Sequence, residues 1–223
     1  MLGNIFILGD SYSTFEGYVP NGHNVYYQPD GPEYIKNNPD MELSENDVCQ
    51  VEQTWWYNLT MENGRLLKNC SWSGTTICHT GYNGSDCREN SFIGRIEKLF
   101  QEGYFEENSI DTFFLFGGTN DSWANAPLGE GKDSDWSTED LYQVLPAFGY
   151  LTNLLVSKLK NTKIYCIINT ELKPEISEYF RSVCKQRKID CIVLRDIDKV
   201  YGHPTIKGMQ QIREQVLAHV GIN

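Results

Sequence analysis

Short, almost unbroken apolar runs alternate along the chain with longer stretches in which apolar residues recur every three or four positions. Five runs carry the strand signal: Asn4 to Leu8, Arg65 to Asn69, Thr112 to Phe116, Lys163 to Ile168, and Asp190 to Leu194. They are near-continuously apolar rather than alternating, which is the habit of strands covered on both faces of a parallel sheet. Helical spacing follows: Val144, Phe148, Leu151, Leu155 and Leu159 share one face, as do Ile176, Phe180 and Val183, and then Met209, Ile212, Val216 and Val220. Pro174 stands where it opens the second of these helices, and Thr205 suits the N-cap of the last. Strand alternating with helix predicts an α/β fold, a three-layer α/β/α sandwich around a five-stranded parallel sheet, as one domain over residues 1–223.

Two segments break the rhythm. Residues 12–50 are rich in Asn, Pro, Gly, Asp and Tyr and are too long for a simple connection, and residues 121–138 carry Trp123, Pro127, Gly129, Gly131 and Trp136. Loops of such length usually serve function or hold small elements of their own. Both follow strand carboxyl ends, so both are expected to overhang the same edge of the sheet.

Charge and composition narrow the functional classes. A formal net charge of -11 and a pI near 4.8 argue against a nucleic-acid partner or an anionic membrane surface, which need surplus Lys and Arg. No apolar stretch approaches the ~20 residues of a membrane span, and no charged leader precedes the first strand, so a cytoplasmic location is expected. The seven cysteines form an odd set, and Cys166 and Cys191 sit inside apolar runs, which fits a reducing compartment. Cys70, Cys78, His79 and Cys87 lie close in sequence, but without a CxxC or a usual zinc spacing no metal site is expected there. Nothing in the sequence calls for a cofactor, and the oligomeric state is not encoded in any recognisable way.

The candidate chemistry gathers at strand ends. Gly9-Asp10-Ser11 follows the first strand, Asn69 to Gly74 the second, Gly117-Gly118-Thr119-Asn120-Asp121 the third, and Gly202-His203-Pro204 the fifth. Each block alone also suits an ordinary turn. In an open parallel sheet, however, strand carboxyl ends are where ligands bind. Asp10 and Asp121 read as carboxylates that brace loops by accepting backbone N–H bonds, and Ser13 and Thr14 as turn-capping hydroxyls.

Taken together and in this order, the four blocks resemble the SGNH hydrolase superfamily, the GDSL-type esterases and lipases. The stretches GDSYSTFEGY, TWW at Thr54 to Trp56 and GHPTIKGM at Gly202 to Met209 look like a bacterial subgroup of it. The resemblance implies Ser11 as nucleophile, His203 as general base, and an oxyanion hole made of the Ser11 and Gly74 backbone N–H groups and the Asn120 side-chain amide. Glycine at 74 would let the main chain approach the reacting oxygen, and Asn is a donor that cannot be titrated away. Family members usually carry an Asp three residues before the histidine, and here that position is Val200. Asp198, Asp196 or a main-chain carbonyl would have to orient the imidazole instead.

The implied activity is a serine esterase acting on small acyl esters, acetyl groups on carbohydrate included, with a small-molecule or glycan ester as its partner. Aromatic residues crowd the overhanging segments: Tyr12, Phe15, Tyr18, Tyr26, Tyr27 and Tyr34 in the first, Trp72 and Tyr82 near Gly74, Trp123 and Trp136 in the second. Such rings stack on sugars, and they also pack loops onto a domain. No long apolar lid favours triglyceride. The alternatives are a lysophospholipase or thioesterase of the same superfamily, a flavodoxin-like protein holding a phosphate at Ser11 to Thr14, or a non-catalytic scaffold that binds glycans. His23 and His79 fall in loops near the cleft, and His219 on the last helix is expected at the surface.

Overall fold

A computed structural model describes residues 1–31 and 47–222; residues 32–46, Tyr34 among them, lie outside the described residues. The five strands are β1 (Gly3–Gly9), β2 (Gly64–Asn69), β3 (Thr112–Phe116), β4 (Lys163–Ile168) and β5 (Asp190–Val193). They form one parallel sheet in the order β2-β1-β3-β4-β5. The expected α/β sandwich is therefore present. In this order the chain leaves β1 for one edge and returns to its other side at β3. The crevice outside the β1 and β3 carboxyl ends is thus the topological switch point, where open α/β sheets bind ligands.

Successive side chains of each strand enter opposite layers. The helices in chain order begin with α1 (Tyr57–Asn63), α2 (Phe92–Gln101), α3 (Tyr104–Glu107), α4 (Thr119–Trp123), α5 (Val144–Lys158) and α6 (Pro174–Arg187), and Phe6, Leu8, Phe113, Leu115, Ile164, Cys166 and Ile168 meet α2, α5 and α6. Ile5, Ile7, Phe114, Phe116, Ile167 and Ile192 meet Leu59 of α1, the pair Trp55 and Trp56, and α7 (Ile206–Val220). Pro174 does open α6, and the Thr205 hydroxyl caps α7 by accepting from the Gly208 N–H. Helices α1, α2, α3 and α4 lie in stretches where no helix was expected. Among the described residues no helix is long and apolar enough to cross a membrane.

One side chain of α2 reaches under the strand ends. Arg95 is 4% exposed, and every one of its bonds runs to a carbonyl or hydroxyl oxygen. Its Nη1 donates to Gly9 O at 3.2 Å and to Cys70 O, its Nη2 to Thr75 Oγ1 at 3.0 Å, and its Nε to Asn90 O at 2.9 Å and Ser91 O at 3.3 Å. The last residue of β1, the first after β2 and the loop beyond Gly74 are thereby tied to one rigid fork. Burial lowers the guanidinium pKa to about 10, which leaves it charged at neutral pH. The Phe92 ring lies 4.5 Å from its carbon, a cation–π contact.

Arg95→Met leaves buried carbonyls without donors, so urea unfolding is expected to register a loss on the order of 3 kcal/mol. Hydrogen exchange then rises first at the amides of Tyr12, Trp72 and Thr75. Leu151→Ala, in the same layer on α5, loses about 2–5 kcal/mol through a cavity without that local pattern. Equal exchange profiles for the two variants would contradict the role given to Arg95.

Candidate active site

β1 ends in Gly9, and Asp10 starts a single 3-10 turn over Ser11–Ser13. The Asp10 Oδ1 accepts from the Tyr12 N–H at 3.1 Å, while the Thr14 N–H and hydroxyl both donate to Ser11 O, at 3.2 and 2.9 Å. Thr14 is extended, so β1 runs into one locked turn rather than into the N-terminus of a long helix. Asp10 is wholly buried, and burial pushes its carboxyl up to about 7. The Ser13 hydroxyl accepts from Trp55 Nε1 at 3.1 Å, and the Thr14 hydroxyl also accepts from the Tyr26 N–H at 2.9 Å. Both hydroxyls are thereby engaged within the loop.

His203 arrives on a two-residue hairpin. β6 (Lys199–Val200) pairs antiparallel with β7 (His203–Pro204), and the turn residues Tyr201 and Gly202 have φ of 48° and 74°. Two successive left-handed residues make a turn of type I′, the type whose twist suits a tight hairpin; Gly202 adopts it freely. The hairpin places His203 Nε2 2.9 Å from Ser11 Oγ and Nδ1 3.2 Å from Tyr201 O. Asp198 is committed elsewhere: its Oδ2 accepts from the Thr205 hydroxyl at 2.5 Å and its Oδ1 faces Lys207 Nζ at 3.5 Å. Of the candidates for orienting the ring, the main-chain carbonyl is the one in contact. Burial lowers the His203 pKa to about 4, a shift that the Tyr201 carbonyl opposes and the Lys199 charge reinforces. The Tyr26 ring stacks on the imidazole, centroids 3.6 Å apart and planes within 7°, and the Trp123 ring meets it edge-on at 5.6 Å.

Gly74 and Asn120 flank the same crevice. Gly74 has φ of 79°, and a Cβ built there would meet nothing within 4 Å, so its backbone conformation, not crowding, asks for glycine. Asn120, buried in the first turn of α4, uses one Nδ2 proton on Thr75 O at 3.0 Å, and its Oδ1 accepts from the Tyr82 hydroxyl at 2.8 Å. The amide is thereby held in one orientation. Asp121 accepts from the N–H groups of Ile77 and Cys78 at 2.9 and 3.2 Å and braces the loop that carries Gly74.

The remaining candidates sort by burial. Tyr12, Phe15, Tyr26 and Tyr27 are buried against the sheet, whereas Tyr18, Tyr82, Trp123 and Tyr201 are exposed. His79 is buried with Nδ1 2.9 Å from the Ser91 hydroxyl, His219 is exposed on α7, and Cys70 and Cys78 pack in the core. His23 stacks on Trp72 at 4.2 Å and sets its Nδ1 2.9 Å from Ser71 O. Beside Trp72 lies a cavity of about 500 Å³ lined also by Asp86, Arg88, Glu89 and Asn90. Sequence reasoning missed Arg95 and Tyr201; a cationic residue inside the apolar spacing of α2 was the available signal for the first.

The family profile of the GDSL-like lipases and acylhydrolases matches residues 3–220. A crystal structure described as a GDSL-like lipase from Bacteroides ovatus is similar at 44% identity over 99% of each chain, with a TM-score of 0.87. A second so described, from Bacteroides uniformis, has 41% identity over 98% of this chain and 95% of that one, with a TM-score of 0.86. An acetyl xylan esterase from the rumen bacterium Butyrivibrio proteoclasticus shares the fold, with a TM-score of 0.58 over 98% of this chain and 63% of that one, at 15% identity. No curated protein matches the chain. With its profile spanning nearly the whole chain and two solved relatives above 40% identity, the protein belongs to the GDSL-like lipase/acylhydrolase family.

Proposed function

We propose that this protein is a serine esterase of small acyl esters, with acetyl esters of carbohydrates as its foremost substrates. The observation that carries the reading is the 2.9 Å contact between Ser11 Oγ and His203 Nε2 at the switch point, in a chain whose family acts on esters. His203 takes the Ser11 proton as Oγ attacks the carbonyl carbon, and returns it to the leaving alcohol as the tetrahedral intermediate collapses to acyl-Ser11. Water, deprotonated by the same ring, then releases the acid. The N–H groups of Ser11 and Gly74 and the second Nδ2 proton of Asn120 receive the oxyanion, and Tyr82 keeps that amide from turning over.

Support for a carbohydrate comes from the rim. Tyr82, Trp123 and Tyr201 are exposed around the site, and a cavity beside Trp72, lined by none of the proposed catalytic residues, offers carboxylates, an amide and a guanidinium to ring hydroxyls. An aromatic face against the C–H face of a sugar, edged by such groups, is a common way to hold a glycan. The acetyl xylan esterase of the same fold is consistent with this choice.

Labelling with a fluorophosphonate is expected to give one adduct, on Ser11, read by intact mass and peptide mapping. Ser11→Ala abolishes it and His203→Ala slows it greatly, while Asn120→Ala lowers kcat by about 10²–10³ through the lost oxyanion donor. A protein that binds glycans yet takes no label would instead be a non-catalytic scaffold. Acetyl esters are expected to turn over faster than long-chain ones; the reverse order would overturn the substrate class.

The base works only when neutral, and its pKa is lowered to about 4. The acid limb of kcat/KM should accordingly fall below about pH 5, instead of near the ordinary histidine value of about 6.5. A limb centred close to 6.5 in the pH profile for 4-nitrophenyl acetate would contradict the burial seen at His203.

A further inference from the structure

The position from which a carboxylate would reach Nδ1 holds Val200, directly opposite His203 in the hairpin register. Its side chain accepts no hydrogen bond, so Nδ1 meets the Tyr201 carbonyl instead. That carbonyl fixes the tautomer, with the proton on Nδ1 and Nε2 free to accept from Ser11. It can do so only while the hairpin keeps its place. A ribbon of two residues per strand does not hold itself together in water. The parts of the molecule that grip it therefore decide where the base sits.

Two phenol hydroxyls supply the grip from the core side. Tyr12, which directly follows Ser11, donates to Gly202 O, and Tyr27 donates to Pro204 O at 2.8 Å. These carbonyls belong to the residues on either side of His203. Both tyrosines are fully buried, with Tyr12 edge-on to Phe116 at the end of β3, so neither ring can swing away. Stacking by Tyr26 covers one face of the imidazole, and Trp123 rests against Gly202 from outside. At the base of the hairpin the Thr205 hydroxyl donates to the Asp198 carboxylate, which is where that carboxylate is spent, and the Thr205 N–H donates to the Asp198 main-chain carbonyl.

We propose that Tyr12 and Tyr27 are positioning residues that replace the missing acid: by clamping the carbonyls of Gly202 and Pro204 they hold the Tyr201 carbonyl on Nδ1 and the Nε2 atom on Ser11. Tyr12 adds a direct link, since the neighbour of the nucleophile grips the neighbour of the base. The inference rests on the assignment of His203 as base. Orientation comes here from packing and neutral hydrogen bonds. A carboxylate would also have stabilised the imidazolium; the depressed His203 pKa agrees with its absence.

The test uses 4-nitrophenyl acetate hydrolysis by the full chain, with Tyr12→Phe, Tyr27→Phe, Val200→Asp, Tyr27→Phe/Val200→Asp and the Ser11→Ala control. Each Tyr→Phe change keeps the ring and removes one clamp; kcat is expected to fall by about ten-fold with KM little changed. An Asp at 200 shares a face with His203 and restores a charged partner to Nδ1. The double variant should therefore recover most of the lost kcat, and its acid limb should move up toward about 6.5. A variant weakened only in its fold would not be rescued by a new carboxylate. Wild-type kcat in both Tyr→Phe variants, or activity and stability lost together with no recovery by Val200→Asp, would overturn the clamp. A Ser11→Ala protein as active as wild type would instead overturn the esterase reading itself.

Discussion

The buried guanidinium of Arg95 is the constraint on which the rest of the site depends. A parallel sheet fixes strand directions and spacings, but the loops beyond its carboxyl ends have no ladder to hold them. Arg95 supplies a substitute, because its planar fork meets Gly9, Cys70 and Thr75 at once and each bond fixes one loop relative to the others. A lysine has a single nitrogen and could not span the three. Desolvation of that cation is offset by bonds to five oxygens and by the Phe92 face, with Asp10 close enough to feel its field. The two buried carboxyls of the site, Asp10 and Asp121, both bond backbone N–H groups, so the polar core under the crevice serves geometry throughout.

His203 depends on a different solution to the same problem. Where a carboxylate both aims and charges the ring, a carbonyl aims it alone. A less basic imidazole is a weaker proton acceptor, yet it stays deprotonated to lower pH, and Brønsted behaviour sets these two effects against one another. The rings of Tyr12, Tyr26 and Tyr27 fit that arrangement, because a neutral orienting bond holds only as well as the wall around it.

Much of this fold was legible in the sequence, for identifiable reasons. The central strands β1, β3 and β4 are buried on both faces and read as nearly unbroken apolar runs, and all five strands appear within a residue of the expected ranges. Pro174 and Thr205 act where capping chemistry puts them. Helix α2 escaped notice although Phe92, Ile96 and Leu99 have helical spacing and Ser91 caps it. Its Arg95 has the look of a solvated charge until the strand ends are seen above it. The hairpin was hidden too, because Tyr201-Gly202 lacks the Asn-Gly signature of a type I′ turn. Contacts such as Tyr12 with Gly202 join residues far apart in the chain, which one sequence does not reveal.

The aromatic residues that crowd the overhanging segments divide into two sets with different physical roles. Tyr12, Tyr26 and Tyr27, buried against the sheet, hold the His203 hairpin and ring, and Tyr18, Tyr82, Trp123 and Tyr201 are exposed. Tyr82 belongs to both. Its ring is exposed, while its hydroxyl bonds Asn120 Oδ1 and so decides which way that amide faces. A primary amide is nearly symmetric in shape, and nothing but its hydrogen bonds tells the N–H end from the carbonyl end. Thr75 O and the Tyr82 hydroxyl impose that choice from opposite sides. On the proposed assignment of Asn120 as an oxyanion donor, a substrate ring pressing on Tyr82 bears on that donor, which couples recognition at the rim to the chemistry below it.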